Sequence, residues 1–129
     1  MPTCSDHYGR LLRLCAGILL MTGQLVSAGE ADVLAVETSC DGGTTCRFSV
    51  TVQHADEGWE HYANRWEIIG PSGKVIGVRE LAHPHVNEQP FTRSLGNVNV
   101  PADISEVTVR AHDSVHLFGG REQSVRLQR

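Results

Sequence analysis

The stretch Arg47-Phe48-Ser49-Val50-Thr51-Val52-Gln53 alternates apolar and polar side chains without a break. In extended backbone, successive side chains point to opposite faces, so Phe48, Val50 and Val52 share one face. A helix would scatter the same three residues around its axis. The segment is therefore predicted to be a strand with one buried side. The same period recurs on both flanks. Val33 to Thr38 precedes it, and Tyr62 to Ile69 follows with Trp66 and Ile68 inward. After a turn at Pro71-Ser72-Gly73-Lys74, Val75 to Leu81 returns as a strand. Glu106 to His112 places Val107, Val109 and Ala111 on one face, and Ser124 to Gln128 adds Val125 and Leu127. The span from His83 to Asn97 holds two prolines and little alternation, so it is expected to be a long connection with at most a short edge strand. Asn97 to Val100 is expected to pair briefly before Pro101. No segment carries a helical stripe. Six to eight short strands in one chain predict an all-β fold, an immunoglobulin-like antiparallel β-sandwich.

The first residues read differently. Arg10 and Arg13 precede an apolar run from Leu14 to Met21, and Val26-Ser27-Ala28 offers the small residues that a signal peptidase inspects. Residues 1–28 are therefore expected to be a secretory signal cleaved after Ala28, with one domain over 29–129. The apolar run is too short for a resident membrane span, and no later segment approaches that length. Lipidation at Cys15 is the rival reading, disfavoured because Cys15 sits near the start of the apolar run rather than after it. Cleavage removes Arg10, Arg13 and Asp6, leaving nine basic and fourteen acidic side chains and a net charge of −5 with neutral histidines. That balance argues against a nucleic-acid partner, which wants a basic face. The expected location is the periplasm or the exterior.

Two cysteines remain, Cys40 and Cys46, bracketing the turn-rich Asp41-Gly42-Gly43-Thr44-Thr45. In an oxidising compartment, such a pair is expected to form a disulfide. A thiolate metal pair is the alternative, but zinc-type pairs usually sit closer together and come with a second pair.

Six histidines survive processing: His54, His61, His83, His85, His112 and His116. Each falls near a predicted strand end, and loops of a sandwich gather at its two rims. In extended backbone His83 and His85 point the same way. Glu88 and Asp113 are carboxylates close to them in sequence. Imidazole suits copper, zinc, nickel and iron, and a carboxylate can complete such a site or orient a ligand. All six histidines, with Glu88 and Asp113 as possible carboxylate ligands, are thus candidates for a rim site binding copper or zinc ahead of iron. The plainer alternative is that these are solvated loop histidines, which need no ligand.

Two segments resemble the iron-binding domain of superoxide reductases and desulfoferrodoxins. His54-Ala55-Asp56-Glu57-Gly58-Trp59-Glu60-His61-Tyr62, followed by Trp66-Glu67-Ile68, is similar to that family's histidine, acidic stretch, Glu-His-Tyr and tryptophan-bearing strand. Asp113-Ser114-Val115-His116 is similar to its Cys-Asn-x-His loop. The resemblance implies an immunoglobulin-like sandwich and an iron held by four imidazoles and one thiolate. Carried over, His54, His61 and His116 match histidine ligands, while Asp113 stands where the thiolate should be. The first two histidines are one residue further apart than in the family, its upstream histidine has no counterpart in 29–53, and His83, His85 and His112 are extra. The stretch from His83 to Arg93 is also similar to small bacterial periplasmic proteins, a likeness that names no activity.

Three functions follow as expectations. The first is an exported metal-binding protein, the second a metal-free module contacting another exported protein, and the third a superoxide-reductase-like redox enzyme. Trp59, Tyr62, Phe91 and Phe118 lie in or near loops, where aromatics anchor partners or plug the core beneath. Nothing resembles a nucleophile elbow, a phosphate loop or a dinucleotide fingerprint.

Overall fold

The computed structural model describes residues 29–129, and the predicted export segment, including Cys15 and the Ala28 cleavage point, lies outside the described residues. Seven strands follow in order: β1 (Asp32–Cys40), β2 (Thr45–Gln53), β3 (Ala63–Ile69), β4 (Val75–Glu80), β5 (Phe91–Asn99), β6 (Glu106–Asp113) and β7 (Gln123–Arg126). They make a three-stranded sheet, β1-β2-β5, and a four-stranded sheet, β4-β3-β6-β7. Every pairing is antiparallel. Among the described residues there is no helix, so the all-β, two-sheet expectation holds.

Alternation decides which side chains fill the core. Phe48, Val50 and Val52 of β2, Trp66 and Ile68 of β3, and Val107, Val109 and Ala111 of β6 are all buried. Complete burial of an aliphatic or phenyl side chain contributes roughly 1.5–3 kcal/mol, so these positions dominate the stabilisation.

The structure corrects one expectation. Phe91–Asn99 is a nine-residue edge strand, not an irregular connection. Its alternation is hidden by a bulge. Cys46 pairs with Val98 and Phe48 with Leu95, so two steps along β2 match three along β5. The extra residue lies at Gly96-Asn97, where Asn97 takes φ 54°. Inward positions therefore run Phe91 and Leu95, then switch parity to Val98 and Val100. A similar slip between Val33 and Ala35 re-phases β1. A bulge inserts one unpaired residue and breaks the period of two that a reader counts on.

The sandwich has two rims. Cys40 and Cys46 are register partners closing the β1–β2 hairpin, and their sulfurs are bonded. Inside that hairpin Asp41 Oδ1 accepts from the Gly43 N–H at 2.9 Å, and Gly42 takes φ 87°. The opposite rim is marked by Asp32 against Gln53, Val52 against Phe91 and Ala63 against Asp113. Residues 29–31, 54–62, 81–90 and 114–122 meet there.

Candidate metal centre

Residues 54–62 turn back from β2 to β3 around a buried carboxylate. The Asp56 N–H donates to the His54 carbonyl at 2.9 Å. The Glu57 N–H donates to the His61 carbonyl at 2.9 Å, and the His61 N–H to the Gly58 carbonyl at 3.2 Å. Gly58 sits at φ 130°, a conformation that a Cβ would oppose. Asp56 then ties three segments together. Its Oδ1 accepts from the Ala63 N–H at 2.9 Å and faces His54 Nδ1 at 2.5 Å, while Oδ2 accepts from the His85 N–H at 2.7 Å. A carboxylate on one imidazole nitrogen fixes the ring and leaves the other nitrogen for a ligand. His54 Nε2 accordingly faces the rim interior, 3.1 Å from the Gly29 carbonyl oxygen.

Asp113 arrives by alternation. It continues the inward series Val107, Val109, Ala111 past the end of the apolar core and is fully buried. Its Oδ1 accepts from the backbone N–H of His116 at 2.7 Å and of Val115 at 3.0 Å, and lies 3.2 Å from His116 Nδ1. The loop closes through reciprocal bonds between Asp113 and Leu117, with Leu117 at φ 65°. Ser114 docks this loop on the first, its N–H donating to the Tyr62 carbonyl at 3.0 Å and its Oγ accepting from the Tyr62 N–H at 3.1 Å. Burial would raise the Asp113 carboxyl. The His116 and Val115 N–H groups and the charge of nearby His54 outweigh it and hold Asp113 below the ordinary aspartate value. It is therefore an anion at neutral pH.

These two loops bring His54, His61 and Asp113 together, with one candidate ligand atom from each lying within 4.8 Å of the others. The rings of His54 and His61 have centroids 4.8 Å apart, and those of His61 and His116 5.0 Å apart. His61 Nδ1 lies 3.6 Å from Glu57 Oε1, which leaves Nε2 turned toward Asp113. His61 Nε2 is 3.3 Å from Asp113 Oδ1 but not aligned for a hydrogen bond, and it is buried without a partner. Asp113 Oδ2 is also buried without a partner. A buried polar atom left bare costs about 1–3 kcal/mol, more when charged. Trp66 Nε1, Arg79 Nε and His85 Nδ1 are also bare, but His61 Nε2 and Asp113 Oδ2 share one cluster, so a cation bound there would satisfy them together. The His116 side chain, 39% exposed, forms the mouth.

The remaining candidates lie elsewhere. His85 stacks on Phe91 with centroids 4.0 Å apart, and its Nε2 accepts from Arg93 Nη2 at 3.0 Å. Burial, then the charges of Arg93 and His83, lower its pKa. His83 packs beside it with its Nδ1 on the Pro84 carbonyl, and Glu88 pairs with Arg93 at 3.2 Å. His112 turns to the outer face of the four-stranded sheet, where its Nδ1 meets Asn64 Oδ1 at 2.6 Å and its ring packs edge-on against Phe118. Cys40 and Cys46 sit on the opposite rim. Asp56, 4.0 Å from His85 Nδ1, and Gln89, which accepts from the His54 N–H at 3.0 Å and donates to the His85 carbonyl at 3.1 Å, link the two histidine groups.

No family model matches this sequence. A candidate lipoprotein of Halomicrobium mukohataei is 41% identical over 96 residues, 74% of this chain. The chain spans about half, 47%, of that relative. Among solved structures, hypothetical protein PH1083 of Pyrococcus horikoshii OT3 superposes with a TM-score of 0.51 at 15% identity, covering 78% of this chain and 92% of its own. This likeness shows a shared fold. Superoxide reductase in its oxidised state gives a weaker match, with a TM-score of 0.44 at 17% identity over 78% of this chain and 90% of its own.

Sequence reasoning passed over Asp56, Ser114 and Gly29. Asp56 stands two residues after a histidine, which is the signal that could have found it, whereas Asp113, already a candidate, follows inward from the Val107-Val109-Ala111 parity. Of the loop aromatics, Phe91 is core, whereas Trp59 is 68% exposed and meets Tyr62 edge-on.

Proposed function

We propose that this chain is an exported metal-binding domain. It holds one divalent transition metal, copper or zinc, through His54, His61, His116 and Asp113. The observation that carries the reading is the pair of buried, unpartnered atoms, His61 Nε2 and Asp113 Oδ2, inside a cluster of imidazoles whose other nitrogens are already turned to carboxylates. Three imidazoles and one carboxylate form a borderline donor set that suits copper(II) or zinc. Asp56 and Glu57 orient His54 and His61 from behind. A metal on His54 Nε2 would replace that atom's contact with the Gly29 carbonyl oxygen. The export signal in residues 1–28 and the lipoprotein-like relative support a location outside the cytoplasm. The strand order supports an immunoglobulin-like sandwich, since it differs from the constant-type arrangement by the transfer of one strand, β4, to the other sheet.

The test is elemental analysis and metal titration of protein purified without an affinity tag. One equivalent of copper or zinc is expected, lost in His61→Ala and Asp113→Ala and kept in the double variant His83→Ala/His85→Ala. Stoichiometry far below one for every metal, or loss only in the second variant, refutes the assignment.

A partner-docking role is the second reading. Trp59, Val115 and Leu117 are more than half exposed around the same rim, where aromatic and apolar groups can anchor another exported protein. Redox catalysis of the superoxide-reductase kind is the third reading, and here Asp113 would have to replace the thiolate as the electron-rich ligand.

A further inference from the structure

Gly29 is buried against the cluster. Its carbonyl oxygen lies 3.1 Å from His54 Nε2. A Cβ built on it would meet Cε1 and Nε2 of His116 at 3.2 Å, so its Cα lies close beside that imidazole. The backbone of this residue is therefore wedged between two of the candidate ligands, and a side chain there would push the His116 ring by a few tenths of an ångström. Its nitrogen is one bond, about 1.46 Å, from that Cα. Joined to Ala28, the nitrogen is an amide whose lone pair is delocalised into the peptide bond and is a poor metal donor. Hydrolysis of the Ala28–Gly29 bond consumes one water and leaves a carboxylate on Ala28 and a primary amine on Gly29.

The geometry points to the α-amino group of Gly29, released by export cleavage, as a further nitrogen ligand that completes a copper(II) site with His54 and His116. This inference rests on the metal reading above and on cleavage after Ala28. The amine nitrogen and the carbonyl oxygen of one residue close a five-membered chelate ring on a metal, and that oxygen already faces the nitrogen of His54. The amine gives its lone pair to the metal and its extra proton to water, with no change in oxidation state. An added nitrogen donor favours copper(II), which heads the affinity order for nitrogen and oxygen sites. The uncleaved precursor lacks this donor, so the full-affinity site exists only after export.

The chain contains a single lysine, Lys74, in the β3–β4 turn at the opposite rim. In a Lys74→Arg background the α-amine is the only primary amine, and acetylation of the exported, processed protein blocks it alone. Copper(II) affinity by competition titration is expected to fall at least tenfold on acetylation. The electron paramagnetic resonance spectrum should lose one nitrogen coupling. Labelling the unmodified protein with ¹⁵N-glycine tests the same contact without perturbing the fold, and should convert one ¹⁴N coupling into a ¹⁵N coupling. Equal affinity with and without acetylation and a spectrum blind to the glycine label overturn the inference while leaving the metal site standing. A processed N-terminus other than Gly29 by mass spectrometry also overturns it. Absence of copper binding in both forms overturns the metal reading and this inference together.

Discussion

Replacing Asp56 separates the support of the site from the site itself. Its carboxylate accepts from the Ala63 and His85 N–H groups at 2.9 and 2.7 Å and faces His54 Nδ1. Asp56→Ala leaves three buried donors without a partner. At about 1–3 kcal/mol each, the metal-free protein should lose on the order of 3–9 kcal/mol, a large part of the roughly 5–15 kcal/mol that holds a domain together. Asp56→Asn keeps the shape and one acceptor oxygen, so its loss should be about 1–3 kcal/mol. It no longer presents an anion to His54 Nδ1, and removing such a supporting group typically costs about 10–100-fold in metal affinity. Urea unfolding of the metal-free variants measures the first effect, and competition titration with zinc measures the second. If Asp56→Ala costs under about 1 kcal/mol, the carboxylate does not stitch the rim. If Asp56→Asn binds zinc as tightly as the wild type, His54 is not a ligand that Asp56 orients.

Three further outcomes follow from other parts of the fold. Glu67 is pushed up by burial but held lower overall by hydrogen bonds from Arg65 and Arg110, so its folded pKa lies below the ordinary 4.5. Its contribution to stability is therefore complete above that value and lost as pH falls through the folded pKa; Glu67→Gln should be less stable at pH 7 and show a flatter decline in acid unfolding. Gly120 admits no side chain, because a Cβ there would stand 2.0 Å from the Ala31 carbonyl oxygen. Gly120→Ala should cost about 3 kcal/mol or more by denaturant melt, since backbone cannot yield as a side chain does. Reducing the Cys40–Cys46 bond opens only a short loop, so on chain-entropy grounds it should cost about 2 kcal/mol and leave metal affinity unchanged.

The sandwich was readable because most of its strands keep an unbroken period. In β2, β3 and β6 every residue expected inward is buried. β5 was missed because Gly96-Asn97 shifts its parity midway, and no count of alternation survives that slip. The Cys40–Cys46 bond was readable because the two residues flank a hairpin turn. Of the candidate site, chain order shows that histidines lie near strand ends but not which rim or face each one reaches. His112 and Asp113 are neighbours on one strand, so they must face opposite sides of the sheet, and only Asp113 joins the cluster. His83 and His85 share the rim but are drawn away by Phe91 and Arg93. The contact between Gly29 and His54 joins residues 25 positions apart, and no local pattern announces it.

The most direct test of the rim metal site is a crystal structure of the processed protein soaked with zinc or copper, with anomalous data collected at the metal edge. One strong peak is expected on the rim within bonding distance of His54, His61, His116 and Asp113. A peak between His83 and His85, or no ordered peak at full occupancy of added metal, would contradict it.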